Sequence, residues 1–378
     1  MDARAPEAAT SPGHPDVGRR VAELTTPVLL LDLAALRRNV DAMAEWARGV
    51  VDLRPHAKIH KCVEIARLQR RAGAVGATVA TVAEAEALVA GGIEDVLIAN
   101  EVAGDEKLRA LARVARAGRV MVAVDDVRGV DLLASAVRDG GAELGALVEI
   151  DVGMGRGGVR GAEEALRVAD RVASAAGLEL RGAMGYEGHA VLERDPARRR
   201  SLAERAMRKL LGYVAELRRA GHELDVVSAG GTTTYDLTGP IDGVTEIQAG
   251  TYALMDSGYL DFTPRFEPAL FVLGRVVSRH GDRVVLDCGT KVAGVPELAP
   301  ARPRSPSLAL RDLHEEHALL DVVEGPGPDP GDAAELVVAY CGGAVNSHDA
   351  YHVIEDGAVV DVWPIVAPGP GRRAVQGG

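Results

Sequence analysis

Hydrophobic positions follow two alternating patterns over the first two thirds of the chain. Short, continuous apolar runs, such as VLLLDL from residue 28, are typical of strands that are buried on both faces. Longer segments, such as residues 34–49, place Leu36, Val40 and Met43 at helical spacing. The two patterns alternate about eight times, which predicts an α/β fold with a (β/α)8 TIM barrel.

The strands predicted after the first are DLRPHAK, GATVATV, DVLIAN, RVMVAVD, LGALVEIDVG, LRGAMGYEGHA and DVVSAGGTTTYD. A doubly wound open sheet is the alternative, but no G-x-G-x-x-G follows the first strand, as a dinucleotide-binding fold requires. From about residue 266 the helical spacing gives way to short β-rich runs bounded by Gly, Pro and Asp. We therefore predict a disordered leader at 1–20, a barrel at 21–265 and a C-terminal antiparallel β-domain at 266–378.

Composition narrows the choice of ligand. A net charge of -12 argues against nucleic acid and against an anionic membrane surface, so we expect small-molecule ligands. No stretch reaches the roughly 20 apolar residues of a membrane span. Cys62, Cys288 and Cys341 are odd in number and form no CxxC pair, which indicates a reduced, cytoplasmic setting.

Lys58 is the first candidate catalytic residue. It ends the predicted strand DLRPHAK, and barrels of this kind place their active sites at the C-terminal ends of strands. Inward-facing neighbours on that strand are expected to desolvate the Lys58 ammonium and lower its pKa, as an amine nucleophile requires. Lys61, three residues on, is expected at the surface.

Two glycine-rich loops resemble a phosphate cradle. Gly230, Gly231 and Thr232 follow one predicted strand, and Gly250 and Thr251 follow the next. Glycines at strand ends let backbone N–H groups approach an oxyanion, and the threonine hydroxyls add donors. The late strands of a barrel are where such folds commonly hold phosphate.

Three further polar side chains also follow strands. Arg156 lies in the loop DVGMGRGGV and is a candidate donor to a phenolate or carboxylate. Tyr186 and His189, in GYEGHA, form a pair that is suited to contact a cofactor ring and to move protons. All the candidates so far therefore fall at C-terminal strand ends.

Motifs spread from about Thr26 to Pro368 resemble the family of D-threonine aldolase and D-serine dehydratase, whose members share the alanine-racemase-type barrel of pyridoxal-phosphate enzymes. They are RPHAKIHK, EIDVGMGRGGV, GYEGHA, SAGGTTTYD, QAGTYALMD, DCGTK, EEH and AVNSHD followed by VWPI. The resemblance implies pyridoxal 5'-phosphate on Lys58, with Arg156 at the pyridoxal oxygen and Tyr186 by the pyridine nitrogen. It also implies a homodimer. The other residues assigned to the cofactor are His56, Gly230, Gly231, Thr232, Gly250, Thr251 and Tyr252.

One departure from the family concerns its divalent metal. Family members place a His, with Asp or Cys two residues on, just before a T-V-N element, whereas this chain has Tyr340 and Gly342 at those positions. We therefore predict that the metal site is lost. Whether Cys341 binds a metal with His348 or Asp349 stays open.

Three functions follow from the resemblance. The first is a lyase that cleaves or dehydrates a β-hydroxy-α-amino acid, with His189 or Tyr340 handling the protons. The second is a racemase or epimerase that uses Lys58 and either Tyr340 or Cys341 as two bases. The third is a pyridoxal-phosphate carrier without activity. The lyase is preferred, and the carrier ranks lowest, because the cofactor-binding residues are intact and only the metal pair differs from the family pattern.

Overall fold

The computed structural model describes residues 13–367. Its strands are β1 Val28–Asp32, β2 Asp52–Leu53, β3 Ala77–Val79, β4 Asp95–Ile98, β5 Arg119–Val124, β6 Leu144–Glu149, β7 Leu178–Met184, β8 Val226–Ala229, β9 Glu246–Ile247, β10 Leu270–His280, β11 Arg283–Leu286, β12 Arg302–Pro303, β13 Leu308–Leu313, β14 Ala318–Val322, β15 Ala333–Val337, β16 Ala350–Glu355 and β17 Ala358–Pro364.

The α-helices are α1 Leu33–Ala47, α2 Val63–Arg71, α3 Val82–Ala90, α4 Asp105–Ala117, α5 Val127–Gly140, α6 Ala162–Ser174, α7 Gly188–Val191, α8 Pro196–Arg219, α9 Tyr235–Thr238, α10 Thr290–Ala293 and α11 Cys341–Asn346. Short 3-10 helices lie at Val21–Glu23, Ala57–Ile59 and Thr251–Ala253. Within the described residues, no helix is both long enough and apolar enough to cross a bilayer.

Eight parallel strands form the predicted barrel. Their order is β2-β9-β8-β7-β6-β5-β4-β3, and a parallel bridge between His56 and Thr78 joins the two ends of the sheet. Some of the crossover helices begin at side-chain caps: Thr81 accepts from the Glu84 N–H before α3, and Asp126 accepts from backbone N–H groups before α5. The predicted fold class is therefore confirmed.

The barrel interior is filled by aliphatic and small side chains, as the scarcity of aromatic residues requires. The packed cluster inside consists of Leu97, Met121, Ala123, Leu147, Met184 and Val226. Near the N-terminal ends of the strands, the Arg54 side chain is only 6% exposed and its Nε donates to Glu246 Oε2 at 2.8 Å. Arg54 also pairs with Asp95. This buried ion network lies at the end of the barrel opposite the one where such folds do their chemistry, and loss of one partner would leave an uncompensated buried charge.

The second unit is built around β1. This strand pairs antiparallel with β10 and parallel with β16, and β10 continues the sheet through β11 and β15. The expectation that VLLLDL is a barrel strand is therefore wrong, and the short β9 completes the eight instead. A continuous apolar run shows that a strand is buried on both faces but does not specify its partners.

The division of the chain differs from the predicted boundaries. The barrel unit contains 43–58 and 66–250, whereas the β unit contains the described residues up to 42, 59–65 and those from 251 onward. Residues 1–12 of the predicted leader lie outside the described residues. Residues 13–20 are ordered by pairing, since the Gly18 N–H donates to the Val359 carbonyl at 2.8 Å and Arg20 forms a bridge with Ala358.

Candidate active site

Most of the predicted site residues of the barrel unit follow the C-terminal ends of its strands. Lys58 follows β2, Arg156 follows β6, Tyr186 follows β7, Gly230 follows β8 and Gly250 follows β9. Because all neighbouring strands in this sheet are parallel, these segments emerge at the same edge of the barrel. The sheet therefore brings together the residues that the sequence placed at strand ends.

Lys58 lies in a turn rather than at the end of a strand. Strand β2 already ends at Leu53, the 3-10 helix Ala57–Ile59 follows, and the Lys58 side chain is exposed. The expected desolvation by inward-facing neighbours is therefore not found in this chain. Lys61, expected at the surface, is 8% exposed and its Nζ donates to the Ala367 carbonyl at 3.2 Å.

His56, two residues before Lys58, lies directly against the second glycine loop. A Cβ on Gly250 would be 2.5 Å from the His56 carbonyl oxygen, so only glycine fits there. The His56 N–H donates to the Ala249 carbonyl at 3.4 Å. The segment that carries Lys58 and the loop after β9 are thus fixed to each other through their backbones.

The Gly230–Thr234 loop is held from beneath by a buried carboxylate. Glu187 is fully buried and accepts hydrogen bonds from the Gly230 N–H at 3.1 Å, the Thr234 hydroxyl at 2.7 Å and the Thr238 hydroxyl at 2.6 Å. The Gly231 N–H in turn donates to Thr234 Oγ1 at 3.0 Å. Both glycine N–H groups are therefore engaged inside the protein.

The two glycines are needed for close packing and for backbone conformation. Gly230 has a φ of +82°, in the region that favours glycine. A Cβ on Gly231 would lie 3.0 Å from Val191 and 3.3 Å from the Tyr186 ring, so the loop passes directly beside that ring. Thr232, at 3% exposed, is the residue of the predicted phosphate loop whose side chain supplies a hydroxyl.

His189 packs on the loop that carries Arg156. A Cβ on Gly153 would lie 2.8 Å from the His189 ring, and Gly153 also has a φ of +137°. His189 Nδ1 is buried and has no hydrogen-bond partner among residues 13–367. The imidazole is therefore held against the loop while one of its nitrogens keeps its capacity to accept or donate a proton.

Carboxylates shape the Arg156 loop. Asp151 Oδ1 accepts from the N–H groups of Gly153 at 3.0 Å and Gly155 at 2.9 Å, and Asp125 Oδ2 accepts from the Gly158 N–H at 2.8 Å. Gly153, Gly155 and Gly158 have φ angles of +137°, +65° and +97°, a backbone region that favours glycine, which explains why the loop is rich in this residue. Arg156 itself is exposed.

Glu149 is a second buried carboxyl group that sequence analysis missed. It follows Leu147 by two positions on β6, so it faces the barrel interior as Leu147 does. Burial, together with the charge of Glu101, raises the pKa of Glu149 to about 8, although the charge of Arg156 opposes this shift. The alternation of inward-facing and outward-facing positions along LVEID predicts that Glu149 faces the barrel interior. No comparable sequence pattern predicts the burial of Glu187.

The remaining predicted cofactor residues belong to the β unit. Thr251 and Tyr252 form part of the 3-10 helix Thr251–Ala253 and are 9% and 1% exposed. The Tyr252 ring packs against the Phe266 ring, with centroids 5.5 Å apart. Tyr252 is thus a fully buried residue of the β unit.

Tyr340 occupies the space above Gly342. A Cβ on Gly342 would lie 2.8 Å from the Tyr340 hydroxyl oxygen, so the phenol fills the volume that a larger residue at position 342 would need. Burial raises the pKa of Tyr340 above its ordinary value, and the charges of Glu297 and Asp256 add to the effect. Tyr340 is therefore a protonated phenol, which can donate a hydrogen bond but is a poor metal ligand.

Cys341 is unsuited to act as a base near neutral pH. Its thiol is fully buried, and burial raises its pKa well above the ordinary range, as does the nearby charge of Asp256. His348 Nδ1 lies 2.8 Å from the Ala344 carbonyl, with which it shares a hydrogen bond. Among the described residues, the only three-residue His, Cys, Asp or Glu group with converging ligand atoms does not include Cys341, His348 or Asp349. The residues present do not fit the family's metal.

Comparison with known proteins agrees with this architecture. The family described as the alanine racemase N-terminal domain matches residues 31–258, and the putative serine dehydratase domain matches residues 269–354. A D-threonine aldolase from Arthrobacter sp is 38% identical over 368 residues, which cover 96% of each chain. A 3-hydroxy-D-aspartate aldolase from Paracoccus denitrificans (strain Pd 1222) is 34% identical over 94% of this chain and 95% of that protein.

A solved structure extends the match to three dimensions. The crystal structure of D-threonine aldolase from Filomicrobium marinum has a TM-score of 0.88 and 38% sequence identity, and the match covers 92% of this chain and 96% of that one. The resemblance that the sequence motifs predicted is therefore confirmed. The chain belongs to the alanine racemase N-terminal domain family, together with D-threonine aldolase and 3-hydroxy-D-aspartate aldolase.

Proposed function

We propose that this protein is a pyridoxal-phosphate-dependent lyase that acts on a β-hydroxy-α-amino acid, by aldol cleavage or by dehydration. The observation that carries the proposal is the match to D-threonine aldolase along almost the whole length of both chains. Aldol cleavage is the preferred reaction, because it needs only a base for the β-hydroxyl proton, whereas dehydration must also expel hydroxide.

The residues at the C-terminal edge of the barrel fit the cofactor. Lys58 would hold it covalently, Arg156 and Tyr186 would contact its ring, and Thr232 would bind its phosphate. Gly231 leaves room beside the Tyr186 ring that a Cβ would fill. Pyridoxal phosphate, when bound, withdraws electrons from the substrate and so stabilises negative charge at its α-carbon.

Two side chains of this chain have the properties that proton handling requires. His189 Nδ1 is buried without a partner in the described chain, and we assign it to accept the proton of the substrate's β-hydroxyl group. Tyr340 is the alternative candidate for proton handling: burial raises its pKa, so its hydroxyl would act as a donor rather than as a base. No step in this scheme uses a metal ion, since Tyr340 and Gly342 do not fit one.

Racemisation, the alternative function, is less favoured, because the relatives matched along almost the whole chain are aldolases. It would need one group that removes the α-proton and, opposite it, a protonated group that returns one. Burial raises the pKa of both Tyr340 and Cys341, so near neutral pH each could serve only as the proton donor of that pair. A cytoplasmic homodimer remains a prediction, which a mass measurement in solution and fractionation of the source cells would check.

A substrate panel tests the proposal. The purified, cofactor-saturated protein is incubated with D-threonine, D-serine and D-3-hydroxyaspartate, with and without EDTA, while glycine, aldehydes and keto acids are measured. We expect product from at least one substrate, no loss of rate with EDTA, and a loss of more than about 10³-fold in Lys58→Ala. Lys107→Ala, an exposed lysine on α4, is the matched control. Inactivity toward every hydroxy amino acid would overturn the proposal.

A further inference from the structure

Three potential metal ligands converge in the β unit, away from the residues assigned to the reaction. They are His14 and Asp16, in the segment before the first helix, and His352 on β16. One ligand atom from each lies within 4.8 Å of the other two. His352 lies more than 330 positions after His14 and Asp16 in the sequence, so no local sequence motif predicts this cluster.

The spacing suits a small divalent ion. Asp16 Oδ2 lies 3.0 Å from His352 Nε2 and 3.9 Å from His14 Nδ1. Zinc bonds of about 2.0 to 2.2 Å in tetrahedral geometry place neighbouring ligand atoms roughly 3.3 Å apart. The two separations lie on either side of that value, and binding through His14 Nδ1 would replace the hydrogen bond that this atom accepts from the Asp16 N–H at 3.3 Å.

The surroundings hold the ligands in place. The two imidazole rings meet edge to face, with centroids 5.6 Å apart. Arg19 Nη1 donates to the other carboxylate oxygen of Asp16 at 2.6 Å, which orients Asp16 and leaves Oδ2 facing the histidines. Hydrogen-bonded carboxylate ligands of this kind are usual around bound metals. His352 is fixed by its strand, whose neighbours are β1 and β17.

We propose that His14, Asp16 and His352 bind a zinc-type divalent ion that fastens the N-terminal segment to strand β16. Two imidazoles and one carboxylate favour zinc over magnesium or calcium, which prefer all-oxygen ligands. Because three protein ligands leave one tetrahedral position open, water would complete the coordination. The site is separate from the family's metal position at Tyr340 and Gly342, and it does not depend on the proposed lyase activity.

Metal binding to the full-length holoenzyme, stripped of metal beforehand, tests the proposal. Titration with Zn²⁺, followed by calorimetry and by elemental analysis after dialysis, is expected to show one ion per chain and an increase in melting temperature. Binding should tighten as pH rises, because imidazole ligands must be deprotonated. A chain that takes up no zinc would overturn the proposal.

Variants locate the ion. His14→Ala removes a ligand whose side chain is 36% exposed, so the fold should survive, and zinc affinity should fall by about 10-fold or more. His352→Gln should have the same effect. His314→Ala is the matched control, because His314 lies 3.4 Å from Asp312 in an exposed pair without a third ligand, and it should leave binding unchanged. Undiminished zinc binding in a folded His14→Ala protein would overturn the assignment. Bound zinc is measured directly, so failure here is distinguishable from a lack of lyase activity.

Discussion

Two loops of this protein are built in the same way but differ in what they carry. The Gly230–Thr234 loop of the barrel unit is held by fully buried Glu187, which accepts the Gly230 N–H at 3.1 Å. The segment that begins at Tyr340 in the β unit is held by Asp256, 1% exposed, whose Oδ2 accepts the Cys341 N–H at 3.0 Å. The first loop keeps the family's sequence pattern and the second has lost the family's metal ligands.

The difference shows that the buried carboxylate that holds a loop and the functional side chains of that loop can change independently of each other. Backbone hydrogen bonds to a carboxylate do not depend on the side chains of the donor residues, so Asp256 can hold the segment whatever stands at positions 340 and 342. In the Gly230–Thr234 loop, however, the carboxylate also binds two threonine hydroxyls. Glu187 therefore fixes both side chains and backbone, so we expect the Gly230–Thr234 loop to tolerate fewer substitutions.

Removal of Glu187 should have the largest effect. Glu187→Ala leaves three donors without their acceptor in a buried site, and we expect a loss of about 4 kcal/mol in the free energy of unfolding. The affinity for pyridoxal phosphate should fall as well. Denaturant unfolding and cofactor titration measure the two effects. Asp256→Ala is the counterpart: it should destabilise the protein less and leave cofactor affinity unchanged, and an equal loss of affinity would contradict the comparison.

Asp256 should make stability depend on pH. Burial raises its pKa to about 6 from the ordinary 3.8, so the folded state binds more protons than the unfolded state between these values. The contribution of Asp256 to stability is therefore greatest below about pH 4, and about 3 kcal/mol of it is lost as pH rises to about 6. Asp256→Asn should flatten this part of the curve.

Glu149 provides the control for that pH profile. Its pKa is raised to about 8, so its contribution to stability continues to fall up to that pH. Glu149→Gln should flatten the curve between about pH 6 and pH 8, where Asp256→Asn should have no effect. An Asp256→Asn profile that still falls as steeply as the parent between pH 4 and pH 6 would contradict the account of Asp256.

Restoration of the metal pair should have a smaller effect. Tyr340→His with Gly342→Cys places the family's two ligand types at the positions where this chain has lost them. Because the Tyr340 phenol and a side chain at 342 need the same space, only the double variant should respond to metal, with an increase in activity of about 10-fold on addition of zinc or manganese. A metal response in the parent protein would count against the loss of the site.

The smallest expected effect is steric and concerns the space that Tyr340 and position 342 share. Gly342→Ala places a Cβ 2.8 Å from the Tyr340 hydroxyl oxygen, and we expect a loss of about 1 kcal/mol. Tyr340→Phe removes that oxygen and should recover part of the loss in the double variant. Thermal unfolding of the four proteins measures this coupling, and strictly additive losses would show that the two residues do not compete.

The sequence predicted the barrel well, because alternation of apolar runs with helical spacing depends on local pattern. It misplaced VLLLDL, since a run buried on both faces fits equally a barrel and the mixed sheet in which β1 pairs with β10 and β16. It placed Lys58 and Arg156 after the correct strands, but it did not predict the 3-10 helix that holds Lys58 or the exposure of Lys58.

Buried polar groups were the main omission. Glu187 acts through hydrogen bonds to residues more than 40 positions away, and His352 contacts Asp16 although the two are 336 positions apart in the sequence. A single sequence carries no signal for such contacts, because the same residue types are usual at the surface. The absence of the family's ligand types at positions 340 and 342 can, by contrast, be read directly from the sequence, and the structure shows that Tyr340 packs against Gly342 there.

The most direct test of the account is to find where pyridoxal phosphate attaches. The holoenzyme is reduced with borohydride, digested and analysed by mass spectrometry. The account predicts that the cofactor mass is found on the peptide that contains Lys58 and that it is absent in Lys58→Ala. A modified lysine elsewhere, or an unmodified Lys58 in cofactor-saturated protein, would contradict it.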